Sequence, residues 1–129
     1  MPNTIVIPGG APPPVGPFAP ARIASGSKVL TISGQIADGP DGGVVGGDGA
    51  EEQARQCLRN IDALLRSAGA TRDDVVKVGI FRTDIADRAA VARARVEYFG
   101  DHKPASTLFE VPRLVAPELK VEIEATAIF

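Results

Sequence analysis

A chain of 129 residues with 44% apolar side chains is long enough to bury a core and short for two, so residues 1–129 read as a single domain. Its 16 carboxylates outweigh its 14 lysines and arginines, and a net charge of −2 gives no basic footprint, so no nucleic-acid partner is expected. No apolar run is long enough for a bilayer, the first ten residues lack a leader pattern, and one cysteine has no internal mate; the expectation is a cytoplasmic protein with no membrane partner.

Residues 4–7 alternate weakly and read as a short edge strand. Residues 9–20 are rich in proline and glycine and predict an ordered loop, stiffened by Pro12, Pro13 and Pro14. Residues 22–24 and 28–36 read as two strands about the Ser25-Gly26-Ser27 turn. In the second, Leu30 and Ile32 face one way, and Val29, Thr31, Ser33 and Gln35 the other. Asp38-Gly39, Asp41-Gly42 and Gly46-Gly47 give residues 38–49 turn chemistry, with a short hairpin at Val44-Val45 and no phosphate-loop spacing.

Residues 49–68 carry the clearest helical period: Ala54, Cys57, Leu58, Ile61, Leu64, Leu65 and Ala68 form one stripe. Glu51–Arg55 and Asp62–Arg66 pair at i,i+4 on the wet side, and Gly69 is the expected stop. Cys57 lies on the stripe, which makes it a small buried hydrophobe rather than a nucleophile. Residues 75–81, β-branched and apolar, predict a central strand. Asp84 or Asp87 caps a second helix over 88–99, ended by Gly100. Its apolar positions are Ala89, Val91, Ala92, Val96 and Phe99, and Arg88, Arg93 and Arg95 read as a solvated face. His102, the only histidine, reads as a surface or capping group, and a multi-histidine metal site is excluded. Pro104 precedes a strand over 107–111, and another follows over 119–129. On the last, Val121, Ile123, Ala125 and Ala127 point one way, and Lys120, Glu122, Glu124 and Thr126 the other.

The result is an α+β order: three strands, helix, strand, helix, two strands. Two helices cover only one face of such a sheet. The other face carries Thr31, Ser33, Gln35, Glu122, Glu124 and Thr126. It is too strand-like and mixed for free solvent and too polar for a dry core. A subunit interface with wet clefts satisfies it.

The pieces Gly16-Pro17-Phe18, Ser33-Gly34-Gln35-Ile36, Gln53-x-x-Gln56, Asn60-Ile61, Asp74-Val75-Val76-Lys77, Lys103-Pro104-Ala105 and Val121-Glu122-Ile123-Glu124-Ala125 span nearly the whole chain. In that order and spacing, the chain resembles the Rid family, the YjgF group, whose archetypes hydrolyse reactive enamines and imines. The resemblance implies a chorismate-mutase-like two-layer fold, a mixed sheet with two helices on one face. It also implies a homotrimer with three ligand clefts between neighbouring subunits, a small amino-acid-derived metabolite as ligand, and no cofactor.

Carried over by position, the resemblance makes Glu122 the group that positions the attacking water. It gives the backbone N–H groups of Gly34 and Leu108 to the ligand. Phe18 stands where the archetype has a cleft-lining tyrosine, and Ala92 where it has an asparagine. Ser106 stands where the archetype has an arginine that grips the substrate carboxylate. Loss of that two-point grip removes on the order of 3–5 kcal/mol. Together these replacements imply a less polar cleft suited to a neutral or less acidic ligand, and they weaken the expectation of 2-aminoacrylate hydrolysis. Another small enamine or imine remains within reach, because such groups need only positioning, a proton donor and a water. Arg82 stays open between a surrogate anion binder and an arginine snorkelling into water, and Glu124 between a second cleft carboxylate and a solvated one. A trimer that binds or senses a metabolite without turnover is the alternative; a ribonuclease or translation inhibitor comes third, against the acidic charge.

Overall fold

Strict alternation along the last strand sets the architecture: Val121, Ile123, Ala125 and Ala127 are buried, and the residues between them are not. The chain is described from a computed structural model, covering residues 4–6, 9–10 and 16–129. In chain order the elements are β1 (Thr4–Ile5), β2 (Arg22–Ile23), β3 (Val29–Gln35), α1 (Ala50–Ser67), β4 (Val75–Arg82), α2 (Arg88–Phe99), β5 (Ala105–Glu110) and β6 (Val121–Ile128). The predicted order of strands and helices therefore holds. The proline run at 12–14 lies outside the described residues.

The main sheet runs β3-β6-β4-β5, and β1 and β2 form a separate two-stranded ribbon. β6 is antiparallel to both β3 and β4, whereas β4 and β5 are parallel. That parallel pair is joined through α2, as a crossover connection requires. The sheet is mixed, with the two helices on one face, as expected.

The core lies between that face and the helices. It holds Cys57, Leu58, Ile61 and Leu65 of α1, Val91 and Phe99 of α2, and Ile32, Val78, Ile80 and Ile123 of the sheet. α1 follows the predicted stripe except at Leu64, which is exposed. Glu51 and Glu52 stand in its first turn and Arg66 in its last, each matched to the helix dipole. Gly69 takes φ +83, a backbone geometry that side-chain-bearing residues rarely adopt, and ends the helix. Polar groups on the buried side of α1 are committed to neighbouring backbone. Gln53 donates to Gly47 O and Glu118 O at 2.7 and 2.9 Å and accepts from Lys120 N at 2.8 Å.

α2 departs from its predicted face. Its buried residues are Val91, Ala94, Arg95 and Phe99, while Val96 is exposed. Counting in threes and fours from Val91 lands on 94 and 95, then on 98 and 99. Arg95 thus occupies a core-facing slot and does not belong to the solvated arginine face. Arg93 does belong to it, paired with Glu51 at 2.6 Å.

Candidate functional site

On β4, Val78, Ile80 and Arg82 face the helices, as do their β5 partners Ser106, Leu108 and Glu110. On β6, Glu122 and Glu124 face away. The sheet thereby sorts the predicted site residues into two groups on opposite sides.

The first group lies on the open face. Glu122 is half-buried, and its carboxylate rests on the Cα of Gly34, where any Cβ would overlap it. The ladder between β3 and β6 slips between Ile32 and Gln35, so Ser33 and Gly34 have no partner in register. Glu124 lies over Gly79 in the same way, where a Cβ would stand 2.9 Å from its carboxylate oxygen. Glu124 is exposed and lines a shallow 140 Å³ hollow with Thr31 and Lys77. Phe81 and Phe109 stack at 4.9 Å on this face, and Phe109 stays 43% exposed.

The second group lies on the helix side, at the β5 edge. Phe18 and Leu108 line a cavity of about 30 Å³ together with Arg82, Arg88, Ala92 and Arg95. Ser106 sits beside it and accepts a hydrogen bond from Arg95 Nη1 at 2.9 Å. No strand covers the outer side of β5 beyond the Ala19–Ala105 bridge among the described residues, so the backbone around Leu108 remains an open edge.

Two buried arginines, Arg82 and Arg95, line the cavity beside Ser106 among largely apolar walls. Arg82 is 1% exposed and Arg95 4%. Arg82 therefore does not snorkel into water. Arg82 Nε and Nη1 and Arg95 Nη2 have no hydrogen-bond partner among the described residues. Burial pulls the Arg95 guanidinium down to about 10, and burial followed by the Arg88 charge pulls Arg82 below its usual value. The spacing Val91-x-x-x-Arg95-x-x-x-Phe99 was the sequence signal for Arg95, a charge in the middle of an apolar i,i+4 row.

Other chemistry-bearing groups are occupied structurally. Cys57 is buried, its thiol donates to Val121 O at 3.6 Å, and burial together with the Glu122 charge pushes it up to about 12. His102 Nε2 meets Val75 O at 2.7 Å. The 470 Å³ hollow between the helices is lined by Glu52, Arg55 and Glu97, which already pair with one another. Among the described residues no group of His, Cys, Asp and Glu could hold a metal ion, and no helix is long and apolar enough to cross a membrane.

The family model described as Endoribonuclease L-PSP matches residues 9–129. A solved structure from Yersinia pestis, YyfB of the conserved Rid protein family and of unknown function, superposes over 100% of both chains with TM-score 0.91 and 34% identity. The chain belongs to the Rid (YjgF) family. Rid relatives span a wide range of organisms. A RutC family protein of Pyrococcus horikoshii is 42% identical over 118 residues, 91% of this chain and 90% of its own. RidA of an Antarctic Psychrobacter matches with TM-score 0.75 and 30% identity, over 92% of this chain and 94% of that one.

Proposed function

We propose that this Rid protein hydrolyses a small reactive enamine or imine in clefts built between the subunits of a homotrimer. The observation that carries the reading is the division of the site residues. Glu122 and Gly34 lie on one face of the sheet, while Phe18 and Leu108 line a cavity on the other, with Ser106 bonded to its Arg95. One subunit cannot bring both groups to one ligand; a second copy, set against the open β5 edge, can. The exposed Phe109 and Val29 on this mixed face support such an interface, since apolar groups there need cover.

In this reading an enamine first takes a proton on carbon to become the iminium. Glu122 accepts a proton from water as the water oxygen bonds to the iminium carbon. Glu122 returns that proton to the nitrogen of the resulting carbinolamine; the C–N bond breaks, ammonia leaves, and the carbon keeps the oxygen as a carbonyl while the hydroxyl proton passes to solvent, replacing the one taken up on carbon. Imine and water give carbonyl and ammonia, with no redox partner required. The Cα of Gly34 leaves the space in which the carboxylate lies.

The test is ammonia release from freshly generated enamines of several amino acids, including neutral and amidated ones. Glu122→Gln should lower the rate by roughly 10²–10⁴-fold, the usual worth of a positioned acid–base group, with melting temperature and oligomeric mass unchanged. Absence of turnover on every substrate, alongside saturable binding, would replace the enzyme with the metabolite-binding trimer.

A further inference from the structure

We infer that Arg82 and Arg95 form an anion site that receives a carboxylate group of the ligand, in place of a cation at position 106. The inference names the substrate class for the proposed hydrolysis and rests on that reading for the chemistry, but not for the binding itself.

Both guanidinium groups are at least nine-tenths buried, and three of their nitrogens have no partner among the described residues. A buried charge left unpaired is strongly destabilising, so a fold that keeps two on the wall of one cavity requires a compensating group. Asp87 and Glu110 act on Arg82 only through space, and the Glu110 carboxylate is already held by Ile85 N at 2.8 Å. Ser106 takes one N–H of Arg95 and, as a short neutral side chain, leaves the next nitrogen free. The cavity between these groups measures about 30 Å³ and has Phe18 and Leu108 as apolar walls. That is room for about two water-sized groups, the size of the two oxygens of a carboxylate. The planar fork of arginine suits that partner. Arg88 on the rim adds a third positive charge, so a neutral or cationic guest is disfavoured.

Melting temperature of the intact protein tests the binding with propanoate, its neutral isostere propanamide, and inorganic phosphate. Propanoate should raise the melting temperature saturably and propanamide should not. Arg82→Met and Arg95→Met should each weaken propanoate by about 10- to 100-fold while melting, without ligand, no lower than the wild type. That last readout separates an anion site from a structural role, because an arginine that held the fold together would lower the melting temperature when removed. Equal shifts with propanamide, no shift with propanoate, a shift with phosphate alone, or full propanoate binding in both variants would each overturn the proposal. Turnover separates this proposal from the proposed reaction. Arginine-dependent propanoate binding without ammonia release from any enamine leaves the anion site standing and removes the hydrolase. Ammonia release at the same kcat/KM from a carboxylate-bearing enamine and its amide keeps the hydrolase and removes the anion site as a substrate determinant.

Discussion

Ser106 illustrates how a replacement read alone misleads. From the sequence it removes a cation; in the fold its hydroxyl oxygen receives an N–H from Arg95, four residues along from buried Val91 and four before buried Phe99. In the proposed anion site that charge is carried by α2 and not by β5. Arg95 reads from the sequence as part of the solvated face, although its place in an apolar row carries the signal. Arg82 carries none, because a strand-end arginine has the same sequence signature whether it reaches water or not. Glu122 was legible by its place on an alternating strand, but its dependence on Gly34 was hidden, since the two lie far apart in the chain and meet only across the β3–β6 pair. Gly34→Ala puts a methyl group where the Glu122 carboxylate lies. The far end of a flexible side chain can move aside, so the fold should lose only about 1 kcal/mol or less. The displaced carboxylate should lower ammonia release by roughly 10²-fold, the cost of about an ångström of misplacement. Melting curves and initial rates measured on the same preparation check this; a rate loss no larger than the stability loss explains would argue against it.

At the scale of elements, α1 acts as an anchor for chain that has no regular structure. Gln53 holds the carbonyls of Gly47 and Glu118 and the N–H of Lys120, while Asn60 holds the carbonyls of Ile36 and Asp38. These bonds fix the loop before the helix and the start of β6, and so the height at which Glu122 stands. Gln53→Leu keeps the bulk and removes three hydrogen bonds to part-buried backbone groups. At about 0.5–1.5 kcal/mol for each bond, it should destabilise the fold by roughly 2–4 kcal/mol. Denaturant unfolding reads the loss as a lower midpoint at unchanged slope. The elements themselves were visible in the sequence through period and punctuation: apolar spacing over α1, alternation over β6, and glycines at both helix ends. The pairing order was less so. A crossover through α2 makes β4 and β5 parallel neighbours, which chain order supplies. Nothing local says that β6, made last, inserts between β3 and β4.

At the scale of the whole molecule, one sheet separates the two groups of residues that the proposed function joins. Its helix side carries the arginine cavity at the β5 edge, and its open side carries Glu122. If neighbouring copies join these halves, each chain lends its cavity to one neighbour and its carboxylate to the other, in a head-to-tail ring. Defects in different halves then need not coincide at the same cleft. Glu122→Gln chains and Arg95→Met chains, each crippled when pure, should complement after being unfolded together and reassembled at equal amounts. Random three-membered rings would restore roughly a quarter of the native clefts. Rate assays on the mixture, set beside the two pure variants, would detect that recovery. A mixture no faster than its components would place both residues in the same subunit's cleft or in no shared cleft at all. On the proposed reading, activity is then the property of a junction, and a lone chain, though it carries every part, would own no complete catalyst.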